Sequence, residues 1–179
     1  MRMLVQYRLI CAVAFVSVVI LLAGCAQDSA VGELEEQNKA LVRRIHAEVS
    51  KGNLEIFDEV LSPDYVRHCQ AMPPGFQELH GTDQFKTFIA DFSTAVPDCN
   101  DSVLFVIAEN DMVAYVTKMT GTQTGPMGEL PASGRTFTLT NIVIHRFENG
   151  RITETWVSWD NMAMLAQLGF FPPPTNDQP

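Results

Sequence analysis

The stretch TFTLTNIVIHRFENGRITETWVSW, residues 136–159, decides the fold. From Thr136 to Phe147 the residues alternate with the period of a β-strand: Phe137, Leu139, Asn141, Val143, His145 and Phe147 share one face. Thr136, Thr138, Thr140, Ile142, Ile144 and Arg146 share the other, and neither face is wholly polar. Asn149-Gly150 is the pair that a type I′ hairpin turn favours, because both central positions of that turn need a positive φ. Arg151 to Trp159 should therefore return antiparallel beside the first strand.

Outward from this hairpin, the region after Pro97 reads as sheet. Ser102 to Ala108 is rich in Val, Leu, Phe and Ile, Glu109-Asn110-Asp111 is a turn, and Met112 to Thr124 carries β-branched and aromatic residues up to Gly125. A loop with Pro126, Gly128, Pro131 and Gly134 separates it from the hairpin. Before Pro97 the apolar spacing is helical. Leu34, Leu41, Val42, Ile45 and Val49 form one helix from Glu33 to a break at Gly52-Asn53, and Ile56, Phe57, Val60 and Leu61 a short second one that stops at Ser62-Pro63. Tyr65 to Gln70 reads as briefly extended, Ala71 to His80 as loop. Gly81-Thr82 opens a third helix with Phe85, Phe88, Ile89 and Phe92 on its face, ended by Pro97. Asp160 to Leu168 is a short last helix with Gly169 as its stop. Helices followed by a meander of long strands predict an α+β fold: three N-terminal helices packed on a strongly curved, mostly antiparallel sheet that encloses a cavity.

The N-terminus is not part of that fold. Arg2 and Arg8 precede an apolar run from Leu9 to Leu22, the layout of a secretory leader, too short for the roughly twenty residues of a membrane span. Leu22-Ala23-Gly24-Cys25 resembles a bacterial lipobox. That resemblance implies removal of residues 1–24, acylation of Cys25, and a protein held on the outer side of a bacterial membrane, since two or more acyl chains anchor stably. Residues 25–32 are then lipidated Cys and tether, 33–170 the domain, and 171–179 a Pro-rich tail. Losing Arg2 and Arg8 moves the formal net charge from −9 to −11, which disfavours nucleic acid and anionic headgroups as partners. Cys69 and Cys99 are the cysteines left, in a compartment that permits a disulfide; the sequence leaves a bridge and two free thiols both open.

From Glu33 to Phe170 the chain resembles the SnoaL-like polyketide cyclases, or ester cyclases, of the cone-shaped nuclear transport factor 2-like superfamily. The matching stretches are Pro63-Asp64-Tyr65 with His68, Pro97-Asp98, Gly121-Thr122-Gln123-Thr124-Gly125, Pro131 with Gly134-Arg135, Arg146 to Trp156, Asp160, and Gln167-Leu168-Gly169. The resemblance implies a cofactor-free aldol ring closure in which a pocket carboxylate moves a proton and polar neighbours steady an enolate. It also implies a homodimer, as superfamily members often form. At the position after Trp156, where that family commonly carries its acid/base aspartate, this chain has Val157. Its relay-histidine position is Val143, and the common Gly-Thr-His-Thr-Gly is here centred on Gln123, which hydrogen-bonds but cannot titrate.

Two residues could take over acid/base chemistry: His68, because an imidazole can serve as acid or base and this one precedes a Pro-rich loop that could form a cavity rim, and Asp160. For each the alternative is structural, a hydrogen-bonded histidine and a helix N-cap. Gln123, Asn141, His145 and Trp156 are candidates to orient an apolar ligand, against simple packing. The scattered His46, His68, His80 and His145 lack zinc-site spacing, and no Gly-rich phosphate loop or Gly-x-Ser-x-Gly elbow occurs, so neither metal nor cofactor is expected. Two functions remain: a membrane-anchored binding protein for an apolar small molecule, or a cofactor-free lyase, isomerase or cyclase using His68 or Asp160.

Overall fold

The computed structural model describes residues 29–171. The expected leader 1–24, Cys25 with residues 26–28, and the tail from 172 lie outside the described residues. Helix α1 covers 29–49, so residues 29–32, expected as tether, are already helical. It is followed by α2 (Ile56–Val60), β1 (Leu61–His68), β2 (Glu78–His80), α3 (Gly81–Ala95), β3 (Asn100–Glu109), β4 (Met112–Thr122), β5 (Thr136–Glu148), β6 (Arg151–Trp159) and α4 (Asn161–Leu168). Among these no helix is long and apolar enough to cross a membrane.

The hairpin of residues 136–159 forms as its sequence dictates. Asn149 and Gly150 take φ of 52° and 75°, and β5 pairs antiparallel with β6 from Asn141↔Trp159 to Glu148↔Arg151, with one irregularity at Arg146/Phe147. The α+β fold is built on one curled, open six-stranded sheet in the order β2-β1-β6-β5-β4-β3. All its pairings are antiparallel except β1 with β6.

Two features of the first half depart from the sequence reading. Helix α2 ends at Val60 and the chain enters β1 at once. Pro63, which cannot donate a ladder bond, sits in the stretch between Leu61 and Val66 where the register with β6 shifts. The segment expected as loop up to His80 contains β2, which pairs Val66↔His80 to His68↔Glu78. Helices therefore do not all precede the strands: β1 and β2 fall between α2 and α3.

One main core lies on the concave face, where Val42 and Ile45 of α1 and Ile56, Phe57 and Val60 of α2 meet Tyr65, Val113, Tyr115, Val143, Phe147 and Ile152. A second joins Ala95 and Val96 at the end of α3 to Phe137, Leu139 and Leu168, with Phe92, Trp159, Met164 and Phe170 half-buried against it. Two loop-side contacts lock the ends together. Thr124 and Gly125 both donate backbone bonds to the Ala95 carbonyl, at 2.9 and 3.0 Å, and a Cβ on Gly125 would stand 3.0 Å from the Ala95 Cα. Arg151 donates to the Leu61 carbonyl at 2.7 Å, tying the start of β1 to β6.

Candidate functional site

Register sorts every site residue onto one face or the other. Concave rows run Ala108–Val113–His145–Thr155–Arg67–Leu79, then Val106–Tyr115–Val143–Val157, then Thr117–Asn141–Trp159. The intervening rows, Ile107–Ala114–Ile144–Trp156–His68 and Phe105–Val116–Ile142–Ser158, face outward. Parity alone produces this split, because neighbours along a strand point to opposite sides.

His145 is buried on the concave face. Its Nε2 lies 2.9 Å from the Tyr115 hydroxyl and its Nδ1 2.8 Å from Thr155 Oγ1, and Tyr65 is hydrogen-bonded to the same threonine. Burial, helped by repulsion from His46, lowers the His145 pKa to about 3, so the ring is neutral at physiological pH. Burial likewise raises Tyr65 to about 12 and holds Tyr115 well above its ordinary value. The chain Tyr115–His145–Thr155–Tyr65 is thus a satisfied, uncharged polar strut through the core. His46 stacks edge-on to Tyr115 and lies 3.6 Å from Asp101; burial pulls its pKa down too.

Beside this strut Val143 and Val157 are direct cross-strand partners. The two positions at which the family resemblance places a histidine and an aspartate therefore touch each other on the concave face, and both are apolar. In the next row Asn141 donates to Thr117 Oγ1 at 3.1 Å, and its cross-strand partner Trp159 buries an Nε1 that has no hydrogen-bond partner.

Sequence reasoning passed over Arg67. Its side chain is 5 % exposed, its guanidinium carbon stands 4.8 Å from the Phe88 ring centre and 5.9 Å from that of Trp159, and its Nη1 is buried without a partner. Burial draws its pKa below the ordinary arginine value, while Cys69, Tyr65 and Tyr115 around it pull the other way. A guanidinium nevertheless stays charged at any physiological pH. The signal was available: Tyr65, Arg67 and Cys69 alternate, so a buried Tyr65 carries Arg67 inward and turns His68 outward.

His68 accordingly lies on the convex face. Its Nε2 is 2.9 Å from Glu154 Oε1 and its Nδ1 3.2 Å from Glu78 Oε1, and it stacks on Trp156 with ring centres 5.6 Å apart. Arg146 donates to the other Glu154 oxygen at 2.7 Å and covers the Trp156 ring at 5.2 Å. Trp156, expected to orient a ligand in the cone, instead belongs to this outer cluster, because its strand position has the parity of Ile144 and not of Val143. A cleft of about 430 Å³, lined by His68, Cys69, Gln70, Gly75, Gln77 and Glu78, opens beside it. Asp160 accepts from the Ala163 N–H at 2.9 Å and caps α4. Gln123, fully buried, donates to the Pro131 carbonyl at 3.1 Å and accepts from the Ser133 N–H at 3.3 Å, so its amide latches the loop before β5. Cys69 and Cys99 are free thiols. Among the described residues no group of three or more His, Cys, Asp and Glu is placed to hold a metal ion.

A curled six-stranded sheet with helices across its concave face defines an NTF2-like α+β protein. The sequence model of the SnoaL-like polyketide cyclases matches residues 40–168, and the chain belongs to that family. A candidate SnoaL-like polyketide cyclase from Jannaschia sp. CCS1 superposes with a TM-score of 0.69 at 24% identity, covering 78% of this chain and 95% of the other. IdmH from Streptomyces antibioticus, described as a candidate polyketide cyclase, is 28% identical, with a TM-score of 0.63 over 73% of this chain and 97% of its own. An NTF2-like protein of unknown function from Burkholderia pseudomallei reaches 0.63 at 21% identity over 74% and 97%. No curated protein matches the chain.

Proposed function

We propose that this protein is a lipid-anchored, extracytoplasmic SnoaL-like protein that binds an apolar small molecule and does not cyclise it. The Val143–Val157 pair carries the reading. An aldol closure needs a group that takes and returns a proton within reach of the substrate, and these two side chains cannot do so. His145, the titratable group in the adjacent row, is spent on Tyr115 and Thr155 and held neutral. The half-buried Phe88, Phe92, Trp159 and Met164 are the apolar side chains that would seat the small molecule. Turnover assays on ester and ketone panels are expected to find the natural protein inactive, while native mass spectrometry finds a small molecule bound. Val157→Asp should confer cyclase turnover. Activity in the natural protein would sink the reading.

One observation favours a second reading. His68, flanked by Glu78 and Glu154 beside the 430 Å³ cleft, has the partners of an acid/base group; turnover abolished by His68→Ala would support catalysis there, on the convex face. Anchoring through Cys25 is tested by Cys25→Ser, which should move the protein from the membrane fraction to the soluble one. A second copy is the partner that the convex face suits: Leu104, Phe105, Ile107 and Ile142 are each more than half exposed, and Phe105 and Ile142 share a row. Sedimentation of the acylated protein, with Ile142→Glu as the disrupting variant, tests it.

A further inference from the structure

Two unpartnered donors lie together on the concave face. Arg67 Nη1 and Trp159 Nε1 are both buried without an acceptor, and the Arg67 guanidinium carbon stands 5.9 Å from the Trp159 ring centre. An isolated buried cation is costly unless something compensates it, and Arg67 forms no ion pair among the described residues. The groups that face it are Cys69, Tyr65 and Tyr115, with Phe88 and Trp159 rings against the guanidinium. Burial keeps Tyr65 and Tyr115 neutral, and Cys69 is hydrogen-bonded to the guanidinium, which leaves Nη1 as the donor without a partner. Phe88 and Trp159, the rings against the guanidinium, are themselves only half-buried.

We infer that Arg67 and Trp159 form an anion anchor, and that the ligand of the concave face is an apolar monocarboxylate whose head group accepts from both donors while its body lies against Phe88, Phe92 and the Val143–Val157 pair. This deepens the binding reading above and rests on it. Arg presents a planar fork that matches a carboxylate, and the indole N–H adds a neutral donor of fixed direction. The apolar walls strengthen that charge-assisted contact by excluding water. Asn141 spends an amide donor on Thr117 in the row that carries Trp159, while Arg67 Nη1 and Trp159 Nε1 are buried donors with no acceptor.

The test uses the full acylated chain in detergent, titrated with 2-naphthoate and with its uncharged counterpart 2-naphthalenemethanol at one fixed micelle concentration. Arg67→Met, which keeps an unbranched apolar stem and removes the charge, is expected to weaken naphthoate about tenfold or more, the scale of a lost charged hydrogen bond, and to weaken the uncharged alcohol by a clearly smaller factor. Its melting temperature should hold or rise, because an uncompensated buried charge has been removed. Trp159→Phe, which removes only the second donor, should weaken naphthoate alone by a smaller factor. Should Arg67→Met fail to fold, Arg67→Lys and Trp159→Phe carry the test: loss of naphthoate preference in both supports the anchor, and its retention in both overturns it. Equal weakening of acid and alcohol, or none, overturns the anchor while small-molecule binding stands. If neither probe binds the natural protein, the binding reading itself falls and takes the anchor with it.

Discussion

His145 makes stability depend on pH in a window that its surroundings define. Its pKa falls from 6.5 to about 3 on folding, chiefly through burial. In the unfolded chain the ring protonates as pH drops below 6.5; in the folded protein it does not until about pH 3, so the unfolded state binds the extra proton throughout that interval. The stability associated with the neutral ring is therefore fully present above pH 6.5 and is lost as pH falls towards 3. Between pH 7.5 and pH 5 the unfolded ring gains about 1.5 pK units of protonation free energy, which is about 2 kcal/mol. The figure depends on the unfolded pKa alone so long as the folded value stays well below 5. An imidazolium could still donate to both hydroxyls, so burial rather than a lost hydrogen bond opposes the charge. Urea unfolding at the two pH values should show the midpoint falling by about 1 M for an ordinary slope. Other groups also titrate, His46 in the same direction, so the decisive comparison is His145→Gln, a non-titrating side chain that can still reach a hydroxyl. That variant should be the less stable of the two at pH 7.5, and its loss on going to pH 5 should be smaller than the natural protein's by about 2 kcal/mol. Equal losses in the two proteins would refute the assignment.

Asp160→Ala should cost about 1 kcal/mol, the usual worth of an N-cap, measured by denaturant unfolding, and Asp160→Asn should recover most of it; a loss of ligand binding at unchanged stability would instead give Asp160 a role at the site. Gly125→Ala should destabilise by about 1–3 kcal/mol, because the new methyl meets backbone at Ala95, 3.0 Å away, which cannot rotate aside; an unchanged melting temperature would refute that close approach. Gln123→Ala leaves the Ser133 N–H and Pro131 carbonyl without their partner, so the loop of residues 126–135 should become the first site of limited proteolysis, at a stability loss of about 1–3 kcal/mol.

How far the fold could be read depended on whether each element's partner was near in sequence. Strands β5 and β6 show a clean two-residue period and are joined by Asn149-Gly150, so alternation, turn chemistry and pairing agree within one window. The last helix was readable for the same local reason: Asp160 caps it and Gly169, at φ 83°, ends it. Strand β1 has no such support. Its parallel partner β6 lies some ninety residues away, Pro63 interrupts its early register, and β2 is only three residues long and polar at both ends. Nor could the hairpin reveal its concave side, since Ile142 and Ile144 make the outer face nearly as apolar as the inner. Packing of α1 and α2 decides that, and no local signal encodes it.

The candidate site divides along the same line. Asn141 and His145 share a face in both sequence and structure because parity within one strand is local; the face of His68 was not legible, because parity in β1 must be counted from a buried anchor, here Tyr65. Counting from Tyr65 brings in Arg67, a residue type that an unaided reading leaves on the surface. What then distinguishes the polar residues of the concave face is not their identity but whether their hydrogen bonds are complete. His145, Asn141 and Gln123 each meet an acceptor or donor within the chain, and a group already satisfied gains little by turning to a ligand. Arg67 and Trp159 keep buried donors with nothing to bond, and the free energy that their desolvation costs the empty fold is regained only by a molecule that brings an acceptor. On that argument Arg67 and Trp159 would set the ligand's head group, and the Val143–Val157 pair would set its apolar body.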